Sequence, residues 1–171
     1  MAIRIDDIHA IKLLAQAAHI QFIPRLHHAV ARYSESDILM GGVLFTDNWG
    51  GSVQMHVAGF CPRWASKSLL YLAFDYPFRQ LGVKKVFGLV PEYNVAARNL
   101  NLHLGFKIEY LTYDVFNFAD GVNGMYLMSM TCDECRWLNM KLPYIEYAPL
   151  ERTSRIEDMP LAAMPTVGAM Q

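Results

Sequence analysis

Residues 94–106 constrain this chain more than any other stretch. Asn94 is a polar residue whose side-chain oxygen can accept an orphan N–H from the first turn of a helix. Ala96, Leu100 and His103/Leu104 then recur at helical spacing, with Ala97 and Leu104 on a neighbouring stripe. Gly105 stands where a helix end favours a residue that tolerates positive φ, and Phe106 steps into a new strand. Residues 85–90 form a short apolar run ahead of this helix. The order strand, capped helix, strand therefore predicts a β-α-β crossover.

The remaining segments surround that unit. Asp6 and Asp7, followed by Ile8, Ile11, Leu14 and Ala18, predict an amphipathic helix with acids at its N-terminal turn. Pro24 interrupts it and is expected to open a second short helix ending near Tyr33. After a polar break, residues 38–46 read as a strand containing Gly41-Gly42. Asp47-Asn48-Trp49-Gly50-Gly51 is a turn, and Ser52 to Gly59 is the next strand, which makes an antiparallel hairpin. Residues 62–81 predict a helix with Leu70, Ala73/Phe74, Phe78 and Leu81 on one stripe. Pro77 lacks the N–H that would bond the Ala73 carbonyl, so a kink or a broken last turn is expected.

Residues 106–116 read as a long strand that returns through a turn at 120–124 into a Met-rich strand at 125–130. Thr131-Cys132-Asp133-Glu134 has the form of a capping box and predicts a helix start. From Pro143 the periodicity weakens, and Pro149, Pro160 and Pro165 punctuate the text. The expectation is one domain over 1–142 and an arm or tail over 143–171, ordered only by packing on the domain or on another subunit. A homodimer is open on this reading. The element order implies an α/β (α+β) mixed sheet flanked by helices.

Composition sets the outer bounds. With 171 residues, 53% hydrophobic and 18% charged, the chain reads as a single globular domain with a substantial core. A net charge of −1 argues against nucleic acid as the main partner, because phosphate contacts need a basic face. No apolar run is long enough to span a bilayer, and acids stand where a signal peptide would be apolar. Three cysteines, Cys61, Cys132 and Cys135, read as reduced thiols, so a cytoplasmic, membrane-free protein is expected.

The spacing Asn94-x-x-Ala97, seven residues, then Gly105-Phe106 resembles the last conserved segment of the GCN5-related N-acetyltransferases, the GNAT family. The element order over residues 37–130 agrees with that family. The resemblance implies a GNAT-like, mostly antiparallel mixed sheet with one splayed parallel strand pair, here 52–60 and 85–90. It also implies acetyl-CoA as cosubstrate, no metal, and direct transfer of acetyl to a primary amine of a small molecule or protein. Backbone N–H groups around Val57 and Ala58 would hold the pantetheine arm, one of them polarising the thioester. Arg63, Trp64, Ala65, Ser66 and Lys67 would hold the pyrophosphate at a helix start. Asn94, Ala97 and Asn101 complete the implied cofactor set. The chain departs from the family in one respect: the usual loop carries glycines, and here none stands between Phe60 and Leu81. Either the 64–67 amides and Ser66 do that work in a tighter turn, or CoA binding is weak or absent.

Acetyl transfer needs a route for the amine proton and an acid for the leaving thiolate. His56 is the candidate base; alternation puts it with Gln54 and Ala58 on one strand face, opposite Val53, Met55 and Val57. The family position for a Tyr acid is Asn101, so Tyr93 and Tyr113 are the candidate substitutes. Leu89 stands where peptide-N-terminus acetylators carry an acid. Glu92 is a candidate contact for a cationic amine, and Tyr113, Phe116 and Phe118 hint at an aromatic pocket. Cys132-x-x-Cys135 lacks a second ligand pair at zinc spacing and reads as packing against Trp137. His27-His28 reads as surface. A degenerate GNAT-like binding module and a divergent GNAT acting on a nucleobase are the alternatives.

Overall fold

The computed structural model describes residues 1–117, 121 and 123–140. The 143–171 arm, Phe118 and parts of the 120–124 turn lie outside them. Strand β1 (Ala2–Ile5) leads into helix α1 (Ile8–Ala17), then strands β2 (His28–Tyr33), β3 (Leu39–Thr46) and β4 (Ser52–Gly59). Helix α2 (Lys67–Asp75), strand β5 (Lys85–Pro91), helix α3 (Val95–Leu104) and strands β6 (Lys107–Thr112) and β7 (Met125–Thr131) follow. One seven-stranded sheet results, in the order β1-β2-β3-β4-β5-β7-β6. Within it β4 and β5 are parallel and every other pair is antiparallel.

Each face of the sheet buries a different cluster. Val43, Phe45, Val53 and Met55 meet Leu69, Leu72 and Ala73 of α2, and the same core reaches Val86, Met128 and Leu104. On the opposite face, Ala10, Ile11, Leu14 and Ala15 of α1 cover Ala29, Ala31 and Leu44. The alternation expected for β4 holds: Val53 and Met55 are buried under α2, while Ala58 packs on the α1 side.

Caps and breaks follow local chemistry. Asp7, not Asp6, caps α1, accepting the N–H groups of His9 at 2.9 Å and Ala10 at 3.1 Å. Asn94 accepts the Ala97 N–H at 3.0 Å, and Gly105 ends α3 with φ 109°. At Pro77 the ladder switches to a π-turn over Tyr76–Gln80, closed by the Leu81 N–H on the Tyr76 carbonyl at 2.9 Å.

Four expectations need correction. Residues before Tyr33 form strand β2 and not a second helix, because that segment pairs with β1 on one side and β3 on the other. Residues 62–66 are not helical; Ser66 is extended, and its hydroxyl accepts the Leu69 N–H at 3.1 Å as the cap of α2. The strand expected over 106–116 is confined to Lys107–Thr112. Glu134 does reach back to the Thr131 N–H at 3.1 Å, but only a turn and a short 3-10 helix, Arg136–Asn139, follow. Among the described residues no helix is long and apolar enough to cross a membrane.

Candidate functional site

Strands β4 and β5 pair only through Ser52–Lys85, Val53–Val86 and Gln54–Phe87. Beyond that point they diverge, β4 running on to Gly59 and β5 to Pro91. The Phe60 N–H bonds the Met40 carbonyl at 2.9 Å, so by antiparallel alternation Ala58 and His56 bond toward β3. Val57 and Gly59 therefore turn their N–H groups into the gap. The Ala58 N–H, expected there with Val57, faces β3, and Gly59 takes that place. Gly88 lies just past the last pair, where a Cβ would make only ordinary contact with the Met55 carbonyl at 3.4 Å and Asn101 Nδ2 at 4.0 Å.

A cavity of about 200 Å³ lies on the α2 face of this splayed stretch. Met55 and Val57 form its strand wall, Trp64 and Leu69 its α2 side, and Leu100 and Leu104 its α3 side. The lining is almost wholly apolar, so it suits a flexible aliphatic arm better than a charged group. Trp137 also lines it; its indole N–H donates to the Leu104 carbonyl at 2.7 Å, and its ring stacks on Phe74 with a 9° interplanar angle. Sequence reasoning missed Leu100, Leu104 and Trp137 as cavity residues. The periodicity of α3 marked the two leucines as apolar, without telling a cavity wall from a packed core.

The loop into α2 solves its missing glycines in its own way. Arg63 adopts the left-handed conformation, φ 63°, that glycine usually supplies. Arg32 of β2 holds the turn, its Nη1 donating to the carbonyls of Arg63 at 2.6 Å and Trp64 at 3.0 Å. Trp64 lies flat over Gly59, where an added Cβ would sit 2.2 Å from Cδ1 of the indole. Trp64 and Ala65 thus line the cavity, and the indole walls it without filling it. Arg63 and Lys67 are exposed at the start of α2. Their charges and the outward N–H groups of the first turn form an anion-favouring end. Asn101 of α3 is half-buried, its amide 3.9 Å from Met128 Sδ, and Ala97 packs against the core.

His56 lies on the α1 face of β4, opposite the cavity. Its Nε2 is 2.9 Å from Thr46 Oγ1, and the Thr46 hydroxyl donates to Asp47 Oδ2, also at 2.9 Å. One hydroxyl hydrogen cannot serve both partners. Nε2 therefore carries the ring proton and donates to Thr46, which leaves Nδ1 with the lone pair. Burial pushes the His56 pKa down to about 4, against an opposing pull from Asp47. His27 is buried too, contrary to the surface reading, and burial lowers its pKa.

The other candidates gather at the far end of β5. Tyr93 is exposed and meets Phe116 edge-on, with ring centroids 5.5 Å apart. Glu92 Oε2 accepts the Gly124 N–H at 3.1 Å, which fixes its carboxylate beside the β7 start. Tyr113 is exposed just past β6. Among the described residues no group of three or more His, Cys, Asp or Glu side chains is placed to hold a metal.

A seven-stranded mixed sheet whose one parallel pair parts midway, with a helix following each of those two strands, is the GNAT fold, and this chain has it. No family model and no curated protein matches its sequence. By structure it is similar to the spermidine/spermine N-acetyltransferase SpeG of Vibrio cholerae. For a mutant form of that protein the TM-score is 0.62 at 15% identity, covering 81% of this chain and 97% of that one. For SpeG in complex with CoA and spermine it is 0.54 at 18% identity, covering 72% and 73%. A dodecameric SpeG structure gives 0.58 at 14%, covering 76% and 92%.

Proposed function

We propose that this protein transfers the acetyl group of acetyl-CoA to a primary amine by direct attack within a ternary complex. The observation that carries the reading is the parted β4–β5 pair, with the Val57 and Gly59 N–H groups facing a gap that borders an apolar cavity. The pantetheine arm would lie along Val57, and the pyrophosphate at Arg63, Lys67 and the α2 start. The amine would approach from the His56 face, so the gap joins the two reactants. The amine nitrogen bonds the carbonyl carbon, and the carbonyl electron pair moves to an oxygen held by the strand N–H groups. Collapse expels the CoA thiolate.

The His56 pKa bears on when the proton leaves. An alkylammonium titrates at about 10, roughly six units above His56, so His56 is too weak a base to free it, and the acceptor enters as the neutral amine that exchange with solvent supplies, its lone pair open for attack. The nitrogen becomes far more acidic once its lone pair forms the C–N bond. His56 Nδ1 then accepts the proton, and Tyr93 or Tyr113 protonates the thiolate. Most of the acceleration comes from holding both reactants together. Glu92, beside Tyr93 and Phe116, is the proposed contact for a cationic acceptor. The SpeG likeness makes polyamines the first acceptors to try.

Titration calorimetry with acetyl-CoA and CoA tests the first step, with binding expected in the micromolar range. No heat at high micromolar ligand would end this reading. Thiol release is then followed across a panel of primary amines that includes spermidine. CoA binding without turnover on any amine would favour the binding-module alternative, which the glycine-free loop and the weakly basic His56 support.

A further inference from the structure

The acetyl-transfer reading leaves Cys132-x-x-Cys135 unused, and the geometry of that turn gives the pair a role of its own. Glu134 donates its N–H to the Thr131 carbonyl at 3.2 Å, and Cys135 donates to the Cys132 carbonyl at 3.1 Å. Successive bonds of this i to i−3 kind make a 3-10 turn, in which side chains three apart eclipse each other. Cys132 and Cys135 therefore share one side of the turn, and both pack against the α2-face core. The Cα atoms at the ends of such a turn lie within ~7 Å, and disulfides span ~4.4–6.8 Å between Cα atoms.

Three contacts anchor the turn. The Cys132 N–H bonds the Lys84 carbonyl at 3.1 Å, Glu134 Oε2 accepts the Thr131 hydroxyl at 2.8 Å, and Glu134 pairs with Lys107 of β6. A held turn keeps the two residues near each other, so ring closure costs little chain entropy. Exposure distinguishes the two thiols: Cys132 is half-buried, and Cys135 is 3% exposed.

We propose that Cys132 and Cys135 form a redox site, which a small-molecule disulfide such as oxidised glutathione converts to an intramolecular disulfide. The Cys132 thiolate attacks one glutathione sulfur, forming a mixed disulfide and expelling one glutathione thiolate, which takes up a proton. Cys135 then loses its proton to solvent and attacks Cys132 Sγ, expelling the second glutathione. Two protein thiols become one disulfide, and one glutathione disulfide becomes two thiols. Burial raises the Cys135 pKa, which lowers its thiolate fraction in the second step.

The test equilibrates the full chain with graded ratios of reduced to oxidised glutathione, quenches, alkylates and maps peptides by mass. The expected result is a peptide spanning Cys132 and Cys135 that loses two hydrogens and resists alkylation, on a chain that stays monomeric in a non-reducing gel. Cys135→Ala should stop at a glutathione adduct on Cys132, and Cys132→Ser should leave Cys135 unmodified. If Cys135→Ala fails to fold, the Cys132→Ser comparison still decides. Full alkylation of both thiols at every ratio overturns the proposal. So does a persistent Cys132 adduct in the unmutated chain, or a bridge between two chains. None of these readouts depends on acetyl transfer.

Discussion

His56 and Gly59, three residues apart on β4, govern different properties. The folded His56 titrates at about 4, whereas an unfolded imidazole titrates near ~6.5. The unfolded chain therefore takes up this proton first as pH falls. The contribution is fully present above about pH 6.5 and is lost as pH drops toward 4, about 3 kcal/mol in all. His27, also depressed by burial, adds to the loss in the same direction. Denaturant unfolding of the protein and of His56→Gln between pH 7.5 and 4.5 should show a shallower acid limb in the variant. The same substitution should lower kcat by ~100-fold or more if Nδ1 takes the proton, with CoA affinity unchanged. Gly59→Ala acts through packing: its Cβ would collide with the Trp64 indole, at an expected cost of about 1–3 kcal/mol. Gly51→Ala meets nothing within 4 Å and is the matched control.

Among the elements, α3 depends most visibly on its ends. Asn94→Ala removes the oxygen that accepts the Ala97 N–H and should cost about 1 kcal/mol in thermal or denaturant unfolding. That helix was legible because its signals are local: a cap, an apolar stripe and a glycine stop lie within one short stretch. The β3–β4 hairpin and the Pro77 break were legible for the same reason. Strand β2 was not. Ala29 and Ala31 favour helix by propensity, and only pairing on both flanks, with β1 and β3, makes them strand. Strand β1 was missed too, being four residues at a sheet edge. The site was partly legible. The α2 start and the gap strands could be placed by resemblance, but the left-handed Arg63 turn depends on Arg32, 31 residues away. The Thr46–His56 contact likewise needs the folded register, and no sequence pattern announces it.

The molecule as a whole should report cofactor binding through its stability. Acetyl-CoA at 100 times its Kd adds about 2.7 kcal/mol to the native state. For a chain of 171 residues that corresponds to a rise in Tm of roughly 5–10 °C, measurable by scanning fluorimetry. An unchanged Tm at millimolar acetyl-CoA would contradict the proposed site. The parted strands carry a mechanical consequence as well. The sheet is two leaves, β1 to β4 and β5 to β7, stitched by three backbone pairs at one end of a shared spine. Among the described residues the β4–β5 ladder goes no further than Gln54–Phe87. The empty protein should flex there first, like a loosely bound book, and a molecule lodged in the seam would act as its clasp.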